Sequence, residues 1–271
     1  MRQYIPTPSV STLQFGSLTI HLYALCILLG IIAAVLFGSH LYREVAGSHE
    51  AVTDVAIWAI PAGIIGGRIY HLATSPQRYF GHGGKPFDAL KIWEGGMGIW
   101  GAIALGGFAA FIVFRSKSRS TDFGTFADAI APALFLAQAI GRWGNWFNAE
   151  LFGGPTKLPW ALEIPLTSRP LGYGNFTIFH PTFLYESIWC LAGAISLHFL
   201  RHKLLKARPE LRSGSIFIAY VALYCMGRLG IELLRIDEAN HILGLRVNVW
   251  VSIIGLLISA WLFTRRVVRT R

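Results

Sequence analysis

Seven unbroken apolar runs, at residues 18–41, 51–73, 96–114, 123–142, 182–200, 214–234 and 247–264, decide what this chain can fold into. Each is of the order of twenty residues, the length an α-helix needs to cross the hydrocarbon core at about 1.5 Å per residue. Within that core the backbone has no water to bond, so a run must satisfy its own N–H and C=O groups, and a helix does so. A soluble domain would interrupt each run with polar residues for a solvent face. With 54% hydrophobic and 14% charged residues in 271, the chain is too apolar for an ordinary soluble domain. The fold expected is all-α: a polytopic membrane bundle of about seven transmembrane helices, one integral membrane domain over 1–271. No tandem repeat or low-complexity segment interrupts it.

The net charge of +10 raises the question of nucleic acid. Its placement answers it. Arg43, the cluster Arg115, Lys117 and Arg119, the cluster Arg201, Lys203, Lys206, Arg208 and Arg212, and the cluster Arg265, Arg266, Arg269 and Arg271 all fall on one side when seven spans alternate. An excess of Lys and Arg marks the cytoplasmic side, which puts the N-terminus outside and the C-terminus in the cytoplasm. These residues are expected to fix topology and touch anionic lipid, with no nucleic-acid partner. The opening MRQYIPTPSVSTLQFG has neither a charged leader nor a cleavage site, so the first span is expected to be retained. Cys26, Cys190 and Cys225 lie within spans without CxxC spacing and read as buried small apolar side chains. The nine histidines show no metal-ligand spacing, and His40, His49, His198 and His202 merely flank spans. No metal or cofactor is expected.

Two long connections fall on the outer side. Residues 74–95 carry Gly81, Gly83, Gly84 and Pro86; residues 143–181 are too long for a simple connector and are rich in Pro, Gly and aromatics. The second is expected to form a partly folded outer-face cap, with Trp143, Trp146, Trp160 and Tyr173 at the membrane interface.

Polar residues inside a membrane are costly, and so they point to chemistry. On a helix, Gln138, Arg142 and Asn145 share a face, as do Tyr224, Arg228, Glu232 and Arg235 in YCMGRLGIELLR. Arg68, with Tyr70 and His71 beside it, closes the second span. Three spans thus each deliver an arginine, whose planar fork matches phosphate oxygens bidentately. The pattern suits an anionic lipid headgroup. Arg228 and Glu232, four apart, read equally as a self-neutralising structural pair. Arg142 has no such neighbour, because Gln138 and Asn145 are neutral. Asp54 and Asp128, early in their spans, read as caps or topology determinants.

The stretch AQAIGRWGNWFNAE followed by LFGG, residues 137–154, resembles the hallmark of the prolipoprotein diacylglyceryl transferase family. GGRIYHL, WEGGMGIWGA, HPTFLYES, GRLGIELLR and LRVNVWVSIIGLL resemble further segments of that family, in order and register over nearly the whole chain. The resemblance implies a multi-pass enzyme of the cell membrane. Such enzymes transfer the sn-1,2-diacylglyceryl group of phosphatidylglycerol to the lipobox cysteine thiol of a prolipoprotein signal peptide. A thioether forms and glycerol-1-phosphate leaves, the first step of bacterial lipoprotein maturation. Departure of a phosphate needs donors where charge develops, and the thiol must become a thiolate to attack.

By motif match, the resemblance gives Arg142 to phosphatidylglycerol binding, with Arg228 sharing the headgroup. It places Tyr23, from HLYALCILLG, and Asn145 at the glycerol or the phosphate. Arg142, Arg228, Tyr23 and Glu232 form the implied catalytic set; Asn145, Glu150, Gly153, Arg68, Trp100 and Arg235 the implied substrate-binding set. Glu150 and Glu232 hold the arginines in this reading. One departure stands out: many relatives carry a histidine, often taken as the base, where this chain has Trp100. Indole cannot accept the proton. Tyr23, His71 or the arginine field acting on the thiol are the alternatives, and the same Trp marks an actinobacterial-like branch. A transporter of an anionic lipid or solute, and an inactive relative that binds lipoprotein precursors, are the other classes; no inverted repeat supports the first, and Trp100 alone suggests the second.

Overall fold

The computed structural model describes residues 4–16, 18–92, 95–117, 121–207 and 213–269. Of the basic residues singled out above, Arg119, Arg208, Arg212 and Arg271 lie outside these, as do the side chains of Lys206 and Arg269 and the Trp93-Glu94 start of WEGGMGIWGA. In chain order the elements are β1 (Ile5–Pro6), β2 (Thr12–Phe15), β3 (Leu18–His21), α1 (Leu22–Ala46), α2 (Glu50–Thr74), α3 (Gln77–Phe80), α4 (Ile99–Lys117), α5 (Phe123–Gly141) and α6 (Trp143–Asn148). There follow β4 (Leu162–Glu163), β5 (Ile178–Phe179), α7 (Thr182–Ala207), α8 (Ser215–Leu234), β6 (His241–Ile242), β7 (Leu245–Arg246) and α9 (Val247–Arg269).

Seven helical segments are long and apolar enough to cross a membrane, in the order the runs demand. The chain is a multi-pass membrane protein. Two boundaries differ from expectation for a physical reason. Residues 18–21, expected to open the first span, pair instead with 12–15 as an antiparallel hairpin, and the helix begins at Leu22. The fourth span breaks at Gly141 and resumes as α6, so 143–148 are helical rather than part of the outer connection.

The chain divides into two compact units, residues 1–38 with 124–271, and residues 39–123. In the first, Ala131, Phe135, Ala139, Cys190, Ala194, Leu197 and Ile216 form a buried core between α5, α7 and α8. Apolar burial gives little drive between helices surrounded by lipid, so close approach of small residues brings them together. A Cβ on Gly30 would stand 2.8 Å from the Ala137 carbonyl oxygen, and only glycine lets α1 approach α5 so closely. The expected cap is folded: β1 pairs parallel with β4 and β4 antiparallel with β5, over Ala149, Phe152, Leu162, Ile164, Phe179 and Phe183. The N-terminal strand is therefore one edge of the cap, and the Trp146 indole N–H donates to the Pro6 carbonyl at 3.0 Å.

In the second unit, α2 and α4 pack where Gly66 meets Gly101; a Cβ on either would overlap the other's carbonyl oxygen. Asp54 pairs with Lys117 at 3.2 Å, which fits its reading as a structural residue.

Candidate active site

Gly141 ends α5, and Arg142 occupies the joint before α6 with helical dihedrals (φ −63, ψ −24). Its Nε lies 2.5 Å from Oε2 of Glu186, on α7. The other oxygen of Glu186 lies 3.6 Å from Nη1 of Arg228, on α8. Arg228 Nη2 in turn meets Oε2 of Glu232, one turn further along, at 2.6 Å. Glu232 also receives Arg246 Nε at 2.6 Å and Asn248 Nδ2 at 3.3 Å on Oε1, with Arg235 Nη1 4.0 Å from Oε2. Beyond α8, Arg235 donates twice to Asp237, both at 2.6 Å, and Arg246 Nη2 donates to the same carboxylate at 3.0 Å.

The result is one line of alternating charge: Arg142, Glu186, Arg228, Glu232, then Arg235 and Arg246 closed by Asp237. A buried ion is tolerable only when paired and hydrogen-bonded, and Glu232, whose side chain is 0% exposed, has two donors on Oε1 and the charge of Arg228 beside Oε2. Four guanidinia face three carboxylates, so the line keeps an excess positive charge. Arg142 and Arg228 are its most accessible guanidinia, at 22% and 14% exposure. Glu186 is the one carboxylate paired with Arg142 among the described residues, and no hydrogen bond from the Arg142 Nη groups is found there.

Asn145, buried at the start of α6, donates to Glu150 Oε1 at 2.9 Å, and Asn148 donates to the same atom at 3.3 Å. Glu150 sits between two non-glycine residues in left-handed conformation, Ala149 (φ 50) and Leu151 (φ 58). Such conformations cost about 1–2 kcal/mol each, so the surroundings must hold them: the Glu150 N–H bonds the Asn145 carbonyl at 3.1 Å, and Thr182 Oγ1 donates to the Leu151 carbonyl. Tyr23 packs against Gly144, where a Cβ would come within 2.6 Å of its ring, and lies in electrostatic reach of both Glu150 and Arg142.

Gly153 supports rather than faces the line. Its N–H donates to the His180 carbonyl at 3.0 Å and it bridges Arg235, while the Gly154 N–H donates to the Leu234 carbonyl at 2.9 Å. A Cβ on Gly153 would stand 2.9 Å from the His180 Cβ and 3.0 Å from the Leu234 oxygen. The glycine thus lets the cap close on the end of α8 and sets Arg235. A pocket of about 320 Å³ opens here, lined in part by Glu150, Leu151, Phe152, Ser168, Ile236 and Asp237. Burial alone would raise the Asp237 carboxyl, but the hydrogen bonds from Arg235 and the charges of Arg235 and Arg246 outweigh it and hold the group below its ordinary value.

Several residues sit otherwise than the helical wheel suggests. Gln138 does not turn to Arg142; its Nε2 donates to the Tyr220 hydroxyl at 2.8 Å, joining α5 to α8. Arg235 is not on the α8 face with Arg228 and Glu232, because the helix ends at Leu234 and Arg235 is extended. Arg68, in the second unit, is 6% exposed and donates to the backbone carbonyls of Asp88, Ala89 (2.8 Å), Gly95 (2.6 Å) and Gly96 (3.1 Å). Its fork braces the loop after α3. Trp100 lies at the second position of α4, 37% exposed.

Sequence reasoning missed Glu186, Asp237, Arg246 and Asn248. Glu186 was visible within HPTFLYES and Arg246 and Asn248 within LRVNVWVSIIGLL, but nothing local ties them to the arginines. HPTFLYES in fact brings α7 to both neighbours: Ser187 Oγ donates to the Ala139 carbonyl at 2.8 Å and accepts from the Trp143 indole at 3.2 Å.

The family model for prolipoprotein diacylglyceryl transferase matches residues 10–265. The chain is 49% identical over 254 residues to phosphatidylglycerol–prolipoprotein diacylglyceryl transferase 2 of Streptomyces coelicolor, covering 94% of this chain and 78% of that protein. It is 48% identical over 277 residues to the phosphatidylglycerol–prolipoprotein diacylglyceryl transferase of Paenarthrobacter aurescens, covering 99% and 84%. The corresponding enzyme of Cutibacterium acnes is 49% identical over 244 residues, covering 90% and 80%.

Proposed function

The chain belongs to the prolipoprotein diacylglyceryl transferase family, and on that premise we propose that its line of buried arginines binds the phosphate of phosphatidylglycerol while a lipobox cysteine attacks. The thiol gives its proton to water, and the thiolate sulfur forms a bond to the carbon of the diacylglyceryl group that carries the phosphate. The C–O bond breaks, its electron pair passes to the phosphate oxygen, and glycerol-1-phosphate leaves with an added negative charge. The guanidinia stabilise that charge as it develops, where preorganised donors act most strongly. The observation that carries this reading is Arg142, the most accessible guanidinium of the line, whose Nε is paired with Glu186 while its Nη groups make no hydrogen bond among the described residues.

Arg228 shares the phosphate in this reading. Tyr23 and Asn145 bond the glycerol or the phosphate, and Glu150 and Glu232 hold donors in place. Gly153 and Arg235 act through the fit between cap and α8. Trp100 offers no base, so the excess positive charge of the line serves to favour the thiolate. The reading makes the protein a single integral domain of the cell membrane, cap outward and C-terminus cytoplasmic, with the signal peptide of a prolipoprotein as second substrate.

The test is transfer in vitro, with purified full-length protein, phosphatidylglycerol and a lipobox peptide, read as the mass of the thioether product. Product is expected with phosphatidylglycerol and a cysteine peptide, and none with a serine peptide. Absence of product from folded protein overturns the reading.

A further inference from the structure

We propose that Glu186 is a positioning residue that occupies the phosphate's place between Arg142 and Arg228 in the empty site and competes with the phosphate for them. The inference rests on the reading just given, that these two arginines receive the headgroup.

A carboxylate and a phosphodiester each offer a guanidinium two anionic oxygens. Glu186 divides its pair, one oxygen 2.5 Å from Arg142 and the other 3.6 Å from Arg228. It thereby spans the two most accessible guanidinia of the line as a bound phosphate would. The other carboxylates are committed elsewhere. Glu232 holds Arg228 and Arg246 at 2.6 Å from a side chain with no exposure, and Asp237 clamps Arg235 and Arg246 beyond the helix end. Only Glu186 contacts Arg142 among the described carboxylates.

Without Glu186, two like charges would face each other in a low-dielectric setting, a repulsion that an arriving phosphate would relieve. With it, a phosphate must displace a resident anion, and the 3.6 Å arm is the weaker contact and gives first. Binding is then weaker than the arginines alone would allow. That serves turnover, because the leaving phosphate carries more charge than the substrate phosphodiester and would otherwise stay bound. Interactions that hold substrate and product tightly do not raise the rate of the chemical step.

Three variants test this in detergent-purified full-length protein, with KM for phosphatidylglycerol, kcat, and inhibition by glycerol-1-phosphate as readouts. Glu186→Gln keeps the shape and removes the competing charge. It should lower KM by about threefold or more, strengthen inhibition by glycerol-1-phosphate in proportion, and lower kcat. Glu186→Asp, which shortens the reach to Arg228, should shift KM in the same direction by less, and it carries the test if the Gln variant does not fold. A KM that is unchanged or raised in folded protein overturns the inference, since a merely structural residue would lower kcat or yield without tightening the lipid. Arg142→Ala separates the two failures. If it leaves KM for phosphatidylglycerol unchanged, the headgroup reading itself is wrong; if it raises KM while the Glu186 variants tighten nothing, only the role of Glu186 falls.

Discussion

The carboxylate of Asp128, on α5, accepts the backbone N–H of Phe217, in the first turn of α8, at 2.8 Å. Gly214 precedes that helix and supplies no side-chain cap of its own. The first N–H groups of a helix lack intrahelical partners, and in a buried setting each needs another acceptor. From the sequence Asp128 reads as a cap or topology determinant. It caps a neighbouring helix, and so joins α5 to the helix that carries Arg228 and Glu232.

Asp128→Ala should therefore destabilise the protein by about 1 kcal/mol, and up to about 2. Asp128→Asn, which keeps an acceptor, should cost less. Thermal unfolding in detergent, with transfer activity measured per folded molecule, separates stability from chemistry. An Ala variant as stable as wild type would show that the cap contributes nothing.

Arg142→Lys keeps the charge and loses the fork. Lysine is a point donor, unable to hold one carboxylate through Nε while offering two further groups to a phosphate. Transfer should fall at least roughly tenfold, about 1.4 kcal/mol in the barrier. Wild-type kcat/KM in the lysine variant would remove Arg142 from headgroup recognition.

The clamp beyond α8 has a defined pH response. Asp237 is held below its ordinary value, so its contribution to stability is complete above the unfolded pKa of about 3.9 and is lost as pH falls through the lower folded value. Between pH 5 and 8 it should stay ionised and add no step to the activity profile. Asp237→Asn should lower the melting temperature at pH 6, and the gap to wild type should narrow near pH 3. A gap that is constant from pH 6 to 3 contradicts this assignment.

Much of this site could be read from the sequence, and the part that could not has a common cause. Apolar runs report helices directly, because lipid demands them, and the seven segments appear in the expected order. Arg142 stood out because nothing within a turn balanced its charge. Its partner, Glu186, lies on another helix, and helical spacing finds only neighbours three or four residues away. Arg68 looked like Arg142 in sequence, yet backbone carbonyls of the 88–96 segment take up its fork, and the course of a loop is not written in its composition. The cap was legible as folded, but the pairing of residues 5–6 with 162–163 joins segments too far apart for any local pattern to reveal.

Orientation can be settled by insertion. Leu171, at 98% exposure in the cap, is the natural place for a small epitope, since it contributes nothing to burial. That epitope should be reached by antibody from outside intact spheroplasts, and a reporter fused after the last residue should be reached only after lysis. The reverse pattern would invert the topology.

Trp100 closes one route by which the thiol could lose its proton. An indole cannot accept it, so if this enzyme transfers, proton removal at that position is not obligatory. Among the described residues the Trp100 N–H makes no hydrogen bond, and the ring is 37% exposed at the start of α4. Its body contributes surface and its N–H is a donor. Trp100→Phe keeps most of the surface and removes the donor, so transfer should fall by roughly tenfold or less, the scale of one hydrogen bond. Trp100→Ala also removes the surface and should cost more. Introducing a base there, as Trp100→His, should raise transfer only if thiol deprotonation limits the rate. Activity that vanishes in Trp100→Phe would show that the indole N–H meets the reacting groups, and that the arginine line alone does not carry the charge of the transition state.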